Sequence, residues 1–179
     1  MSNSDEVLLQ AAGAGDAELL ANLIQLYAYD LSEVYALELA SDGRFAYEKL
    51  PLYWSEPEER FPLLIKHRGA VAGFAFVTRG SPASDDPRVY DVAEFFILRR
   101  RRRSGLGRKA AFLLWDRFPG TWTVRVSAGN EAGLSFWSSA ISEYTRNTAV
   151  VSSRPGQPHA WKIYCFESAS HDRETTAPY

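Results

Sequence analysis

The densest chemistry in the chain lies between positions 91 and 110. Asp91 and Glu94 lead into Phe95-Phe96-Ile97-Leu98, then five consecutive arginines, Arg99 to Arg103, then Ser104-Gly105-Leu106-Gly107-Arg108. Clustered guanidinium groups call for an anionic partner. A helix starting near Gly105 presents backbone N–H groups that lack intrahelical acceptors and carry the positive end of the helix dipole. Glycines at 105 and 107 clear side chains from those amides, so that an anion can approach them. This is chemistry for a pyrophosphate. Glu94 sits among apolar neighbours, Val92-Ala93 and Phe95-Phe96, that would raise its proton affinity toward neutrality and suit it to act as a base. Asp91 is the second candidate. Strand alternation puts the two carboxylates on opposite faces, and a bulge would reverse that.

Two other phosphate motifs fit poorly. A P-loop needs Gly-Lys-Ser/Thr, whereas Gly107 is followed by Arg108-Lys109. The dinucleotide fingerprint is met only in part, by Gly105-x-Gly107-x-x-Ala110, with no acidic residue ending a following strand. Two plainer readings stand beside the chemical one: a glycine-assisted helix start without a ligand, and a Glu94 that pairs with a neighbouring arginine.

The elements that must hold these residues can be read from periodicity. Val7 to Ala11 predicts a strand, and the apolar positions Leu19, Leu20, Leu23, Ile24, Leu26 and Tyr27 predict a helix from Asp16. A second helical piece is expected over Glu33 to Ala40, then an irregular aromatic loop, Pro51 to Glu59, containing Tyr53 and Trp54. Phe61 to His67 and Ala70 to Thr78 predict a hairpin turning at Arg68-Gly69. Val89 to Leu98 predicts the strand before the basic turn, and Gly105 to Phe118 the helix after it. Trp122 to Ser127, a helix over Ala132 to Ile141, and strands near Tyr144 to Ser152 and Trp161 to Glu167 complete the order. The pattern is a mixed α/β single domain over residues 1–167, with a partly antiparallel central sheet and a polar tail over 168–179.

Composition narrows the class. The 179 residues are 46% hydrophobic and 23% charged, an ordinary globular balance. The net charge of −2 disfavours a general nucleic-acid binder, and no apolar run is long enough to cross a bilayer. The single cysteine, Cys165, excludes an internal disulfide, and His67, His159 and His171 lack metal-ligand spacing, so no metal is expected. Without a visible secretory signal, the cytoplasm is the expected compartment.

Arg102-x-x-Gly105-x-Gly107, between a strand and a helix, resembles the Arg/Gln-x-x-Gly-x-Gly/Ala signature of GNAT acetyltransferases. Asn130-Glu131-Ala132-Gly133-Leu134-Ser135-Phe136-Trp137 resembles the second motif of that family, an Asn after the next strand followed by a helix with an aromatic pair. The likeness covers roughly Ala70 to Glu167, and Ala93 to Arg99 looks like a bacterial group within the family. It implies a GNAT-like fold, with six to seven strands and about four helices, and acetyl-CoA as cosubstrate. It further implies that Phe96, Ile97 and Leu98 pair with the pantetheine arm through their backbone. Arg102, Arg103, Ser104, Gly105, Leu106, Gly107 and Arg108 would surround the pyrophosphate, and Asn130 and Trp137 would line the rest of the cofactor cleft. The implied activity is acetyl transfer to a primary amine of a small molecule or peptide; the alternative is a catalytically weak acyl-CoA-binding domain.

The family often places a tyrosine, as acid for the leaving thiolate, where this chain has Trp137. Tyr144, close behind, is the substitute candidate, against a plainer reading as a surface strand residue. Tyr27, Tyr29, Asp30, Glu33 and Tyr35 mix aromatics with carboxylates near where the family admits its acceptor, which would suit a cationic amine. Exposed terminal strands would permit a homodimer.

Overall fold

A computed structural model describes residues 6–169. One seven-stranded sheet runs through them in the order β1-β2-β3-β4-β5-β7-β6. The strands are β1 Val7–Ala11, β2 Arg60–His67, β3 Ala70–Arg79, β4 Tyr90–Ile97, β5 Gly120–Ser127, β6 Val150–Arg154 and β7 Trp161–Ser168. Four α-helices accompany them: α1 Ala17–Leu31, α2 Leu52–Ser55, α3 Leu106–Arg117 and α4 Glu131–Thr145. Every neighbouring pair is antiparallel except β4 and β5. That parallel pair needs a crossover, which α3 supplies.

Each sheet face buries its own core. Leu63, Ala75, Val77, Val92 and Val124 pack with Leu106, Ala110, Leu114, Trp115 and Ile141 from α3 and α4. On the other face Leu64, Phe74, Phe76 and Phe96 pack with Leu20, Leu23 and Ile24 of α1 and with Tyr53 of α2. The two sets alternate along β2 and β3, as a sheet covered on both sides requires. Gly73 lets β3 meet β4 closely: a Cβ there would lie 1.9 Å from the Phe96 carbonyl oxygen.

Four expectations are corrected. No helix forms over Glu33 to Ala40; after Leu31 the chain makes turns and one isolated bridge, Leu39 to Phe45. Leu37 and Leu39 stay exposed, so that segment has no apolar face to bury and nothing to hold it helical. The stretch near Tyr144 is helix, because α4 runs to Thr145; Trp137, Ile141 and Tyr144 continue its inward stripe. The aromatic loop at Pro51 contains a single helical turn. Of the expected tail, Ser168 ends β7 and is 4% exposed; residues 170–179, with His171, lie outside the described residues.

Candidate active site

The site begins where the sheet splits. β4 and β5 pair only at Tyr90–Trp122 and Asp91–Thr123 and part beyond that point, opening a gap along the rest of β4. β4 also carries a bulge: Val92 pairs with Val77 and Glu94 with Phe76, so Ala93 is the extra residue. Simple alternation would separate Asp91 from Glu94. The extra residue brings both to the face covered by α1, where Glu94 meets Tyr27.

Glu94 is partly buried, and both its oxygens accept phenolic hydrogen bonds: Tyr27 Oη donates to Oε2 at 2.6 Å and Tyr47 Oη to Oε1 at 3.1 Å. Burial raises its proton affinity above the ordinary carboxylate range, against the opposing pull of the two phenols and of the Lys49 and Arg125 charges. Burial and the neighbouring carboxylate push both phenols well above their usual range, so they stay protonated donors. A carboxylate has about four lone-pair positions, so two phenols leave room for an incoming N–H. Asp91 differs. It has no exposed surface; Arg125 grips it through Nε at 2.9 Å and Nη2 at 2.7 Å, and the Ser81 and Thr123 hydroxyls lie 3.0 and 2.7 Å from Oδ1. No acceptor can reach it. Its place is structural, at the last point where β4 and β5 are joined.

The basic run forms a 3-10 turn, Arg99–Arg101, and then the head of α3. Gly105 caps that helix in the left-handed region, at φ 78°, and contributes no side chain to the amides behind it. The first helical bond runs from Lys109 N–H to the Gly105 carbonyl at 3.0 Å, so the N–H groups of Leu106, Gly107 and Arg108 precede the ladder and point out of it. Arg103, at φ 60°, and Ser104 are exposed on the approach. Leu106 itself turns into the core, 3% exposed, and offers only its backbone.

Several arginines of the run are already engaged. Arg102 donates from Nε to the Ile97 carbonyl at 2.7 Å, lies 5.5 Å over the Phe96 ring and pairs with Asp30. Arg99 Nε also donates to Asp30, at 2.8 Å. Burial favours the neutral form of Asp30, but these two guanidinium groups outweigh it and hold the carboxyl below its ordinary range. Asp30 therefore fixes the turn to α1 and is not an open carboxylate awaiting a cationic acceptor. Arg108 pairs with Glu143 at 2.9 Å. Leu98 N–H donates to the Ala72 carbonyl at 2.9 Å, so of the three expected pantetheine partners this amide is occupied within the sheet.

No family model matches the chain, and no curated protein does. Solved structures match over nearly the whole length. An acetyltransferase of the GNAT family from Streptococcus pneumoniae is 17% identical, with a TM-score of 0.57 over 92% of this chain and 100% of its own. Spermidine N-acetyltransferase from Vibrio cholerae, solved with CoA and spermine, is 11% identical, with a TM-score of 0.64 over 90% of this chain and 95% of its own. An aminoglycoside acetyltransferase in complex with coenzyme A is 13% identical, with a TM-score of 0.65 over 94% and 99%. The chain has the GNAT fold.

Within this GNAT fold the second motif has structural duties that its sequence did not disclose. Asn130 caps α4: its Oδ1 accepts from Gly133 N–H at 2.8 Å. Trp137 is 8% exposed and packs on Phe95, Trp115 and Phe136, with ring centroids 5.0, 6.1 and 4.8 Å away. Tyr144 lies fourteen residues along α4 from Asn130, roughly 21 Å at the helical rise. Its hydroxyl donates to Asp116 at 2.8 Å, and burial and that carboxylate push its pKa upward. Tyr144 lies seven residues beyond Trp137 in α4, roughly 10 Å at the helical rise.

Gly107 serves packing as well as anion access. A Cβ there would stand 3.3 Å from the Phe136 ring, whereas at Gly105 the constraint is the positive φ. Gly107→Val is therefore expected to destabilise the fold by about 1–3 kcal/mol through overpacking. Gly105→Ala should cost about 1–2 kcal/mol, for a left-handed Cβ. Both should weaken coenzyme A binding. Thermal melts paired with calorimetric titrations check this; a Gly107→Val protein with wild-type stability would show that α3 and α4 are not packed this way.

Four residues of the site escaped sequence reading. Tyr47 gave no signal, since it lies in irregular chain. Arg125 gave one: a lone charge between Val124 and Val126 in a central strand needs a buried partner, and Asp91 is that partner. Lys49, whose charge acts on Glu94, and Trp161, whose ring lies 5.9 Å from the Arg125 guanidinium, join them.

Proposed function

We propose that this protein transfers an acetyl group from acetyl-coenzyme A to the amino group of a small molecule or peptide. The observation that carries the reading is that one gap in the sheet joins two unlike groups. At one end is the glycine-capped head of α3, with unpaired amides and an exposed Arg103. At the other is Glu94, a carboxylate of raised proton affinity held by two phenols.

The chain's residues fit the cosubstrate. The amides of Leu106 to Arg108 suit a pyrophosphate, and the open side of β4 past Asp91 suits an extended amide-bearing arm. Spermidine N-acetyltransferase and the aminoglycoside acetyltransferase were both solved with coenzyme A bound, which supports the same assignment here. When bound, the thioester supplies an activated acyl carbon. Glu94 takes the proton of the attacking amine as the N–C bond forms and the C–S bond breaks, and the Tyr27 and Tyr47 phenols hold the carboxylate in place. A thiol of ordinary acidity leaves largely as thiolate without a dedicated acid. Trp137 is not such an acid, because an indole N–H does not release its proton near neutrality.

Calorimetric titration with acetyl-CoA should show saturable binding, and free thiol should appear when amines are added. An absence of binding at millimolar acetyl-CoA would overturn this reading.

A further inference from the structure

The surroundings of Glu94 select among acceptors. Across the gap, Asp91 pairs with Thr123, so Arg125, two residues further along β5, is level with Glu94, which the bulge has brought to the same face. Asp91 holds the Arg125 guanidinium through two of its nitrogens. Among the described residues the third, Nη1, donates to no protein group. The guanidinium lies 5.9 Å from the Trp161 ring centroid, and Trp161 stacks on Tyr35 at 6.4 Å with 26° between the planes. Both rings are half-buried and belong to neither core. The indole rests on bare backbone: a Cβ on Gly156 would stand 2.5 Å from it. Arg125, Trp161 and Tyr35 thus form a contiguous row of side chains leading away from the base.

Charge disfavours one class of acceptor. The ionic groups that act on Glu94 from outside are the cations Lys49 and Arg125. Two nearby carboxylates are engaged, Asp30 by Arg99 and Arg102, and Asp91 by Arg125. A polycation would place its second ammonium near these cations, and Asp30 and Asp91 are not free to receive it. An aromatic ring would stack on the indole and phenol, where ring pairs and guanidinium contacts are favourable.

We propose that the acceptor is a primary amine on an aromatic scaffold without a second cationic centre, its ring seated on Trp161 and Tyr35 beside Arg125 and its nitrogen at Glu94. This rests on the acetyl-transfer reading above.

The test measures kcat/KM by thiol release for 2-phenylethylamine, phenylalanine amide and spermidine, with acetyl-CoA binding followed by calorimetry in the same samples. The aromatic amines should exceed spermidine by at least about 10-fold. Trp161→Ala, and independently Tyr35→Ala in case the first does not fold, should reduce that preference about 10-fold while acetyl-CoA still binds. Preference for spermidine, an undiminished preference in a folded variant, or bound acetyl-CoA with none of the amines acetylated overturns the acceptor assignment alone. Failure to bind acetyl-CoA overturns the underlying reading, and this assignment with it.

Discussion

Replacing Glu94 with Gln is expected to lower acetyl transfer by roughly 10²–10⁴-fold, the usual contribution of a positioned general base, while acetyl-CoA binding is retained. Gln keeps the shape and can still accept from Tyr27 or Tyr47, but it cannot take a proton from the amine. The wild-type rate should rise with pH through the ionisation of Glu94, whose midpoint burial places above the ordinary carboxylate value. The variant should lack that limb.

Stability should move the other way. The native state holds the Glu94 proton more tightly than the unfolded chain does. Its stabilising contribution is complete below the unfolded pKa and is lost as pH rises through the folded one. Ionised Glu94 is thus a liability near neutrality, and Glu94→Gln should melt at or above the wild-type temperature at pH 8, with the difference narrowing toward pH 4. A variant that keeps wild-type turnover and its acidic limb would remove Glu94 from the chemistry.

Much of this arrangement was legible along the chain because it is local. The strand, basic turn and glycine-headed helix are contiguous, and the apolar periods that frame them belong to elements long enough to show it. β1 and the β2–β3 hairpin were likewise set by alternation and by Arg68-Gly69. What stayed hidden depends on distant partners. The ligands of Glu94 come from 67 and 47 positions away in the chain, and no local pattern announces them. The bulge at Ala93 is visible only in the register against β3. Asp30 looked like an acceptor-site carboxylate because its neighbours on α1 are aromatic. Its role as anchor for Arg99 and Arg102 depends on where the turn after β4 folds back. Tyr144 was misplaced because the helical stripe from Trp137 was cut short at Ile141.

The seam between β4 and β5 leads to the largest expected change in stability. Asp91 is wholly buried, and the Arg125 side chain beside it is 23% exposed. Removing one partner of a buried pair leaves the other charge uncompensated, at a cost of about 3–5 kcal/mol. For a domain of this size each kcal/mol shifts the melting point by about 2–4 °C, so Asp91→Ala should melt on the order of 10 °C lower. The Ser81 and Thr123 hydroxyls would lose their shared acceptor as well. Asp91→Asn keeps one oxygen for them and should fall between. Removing both charges in Asp91→Ala/Arg125→Ala should recover part of the loss, since no unpaired guanidinium remains; that recovery is the coupling the pair contributes. Activity separates this role from that of Glu94. An Asp91→Asn protein that remains folded should keep the acidic limb of its pH profile, because the base is intact. If Asp91→Ala melts within a degree or two of wild type, the pair does not hold the seam. If Asp91→Asn loses the limb while Glu94→Gln keeps it, the two carboxylates exchange roles.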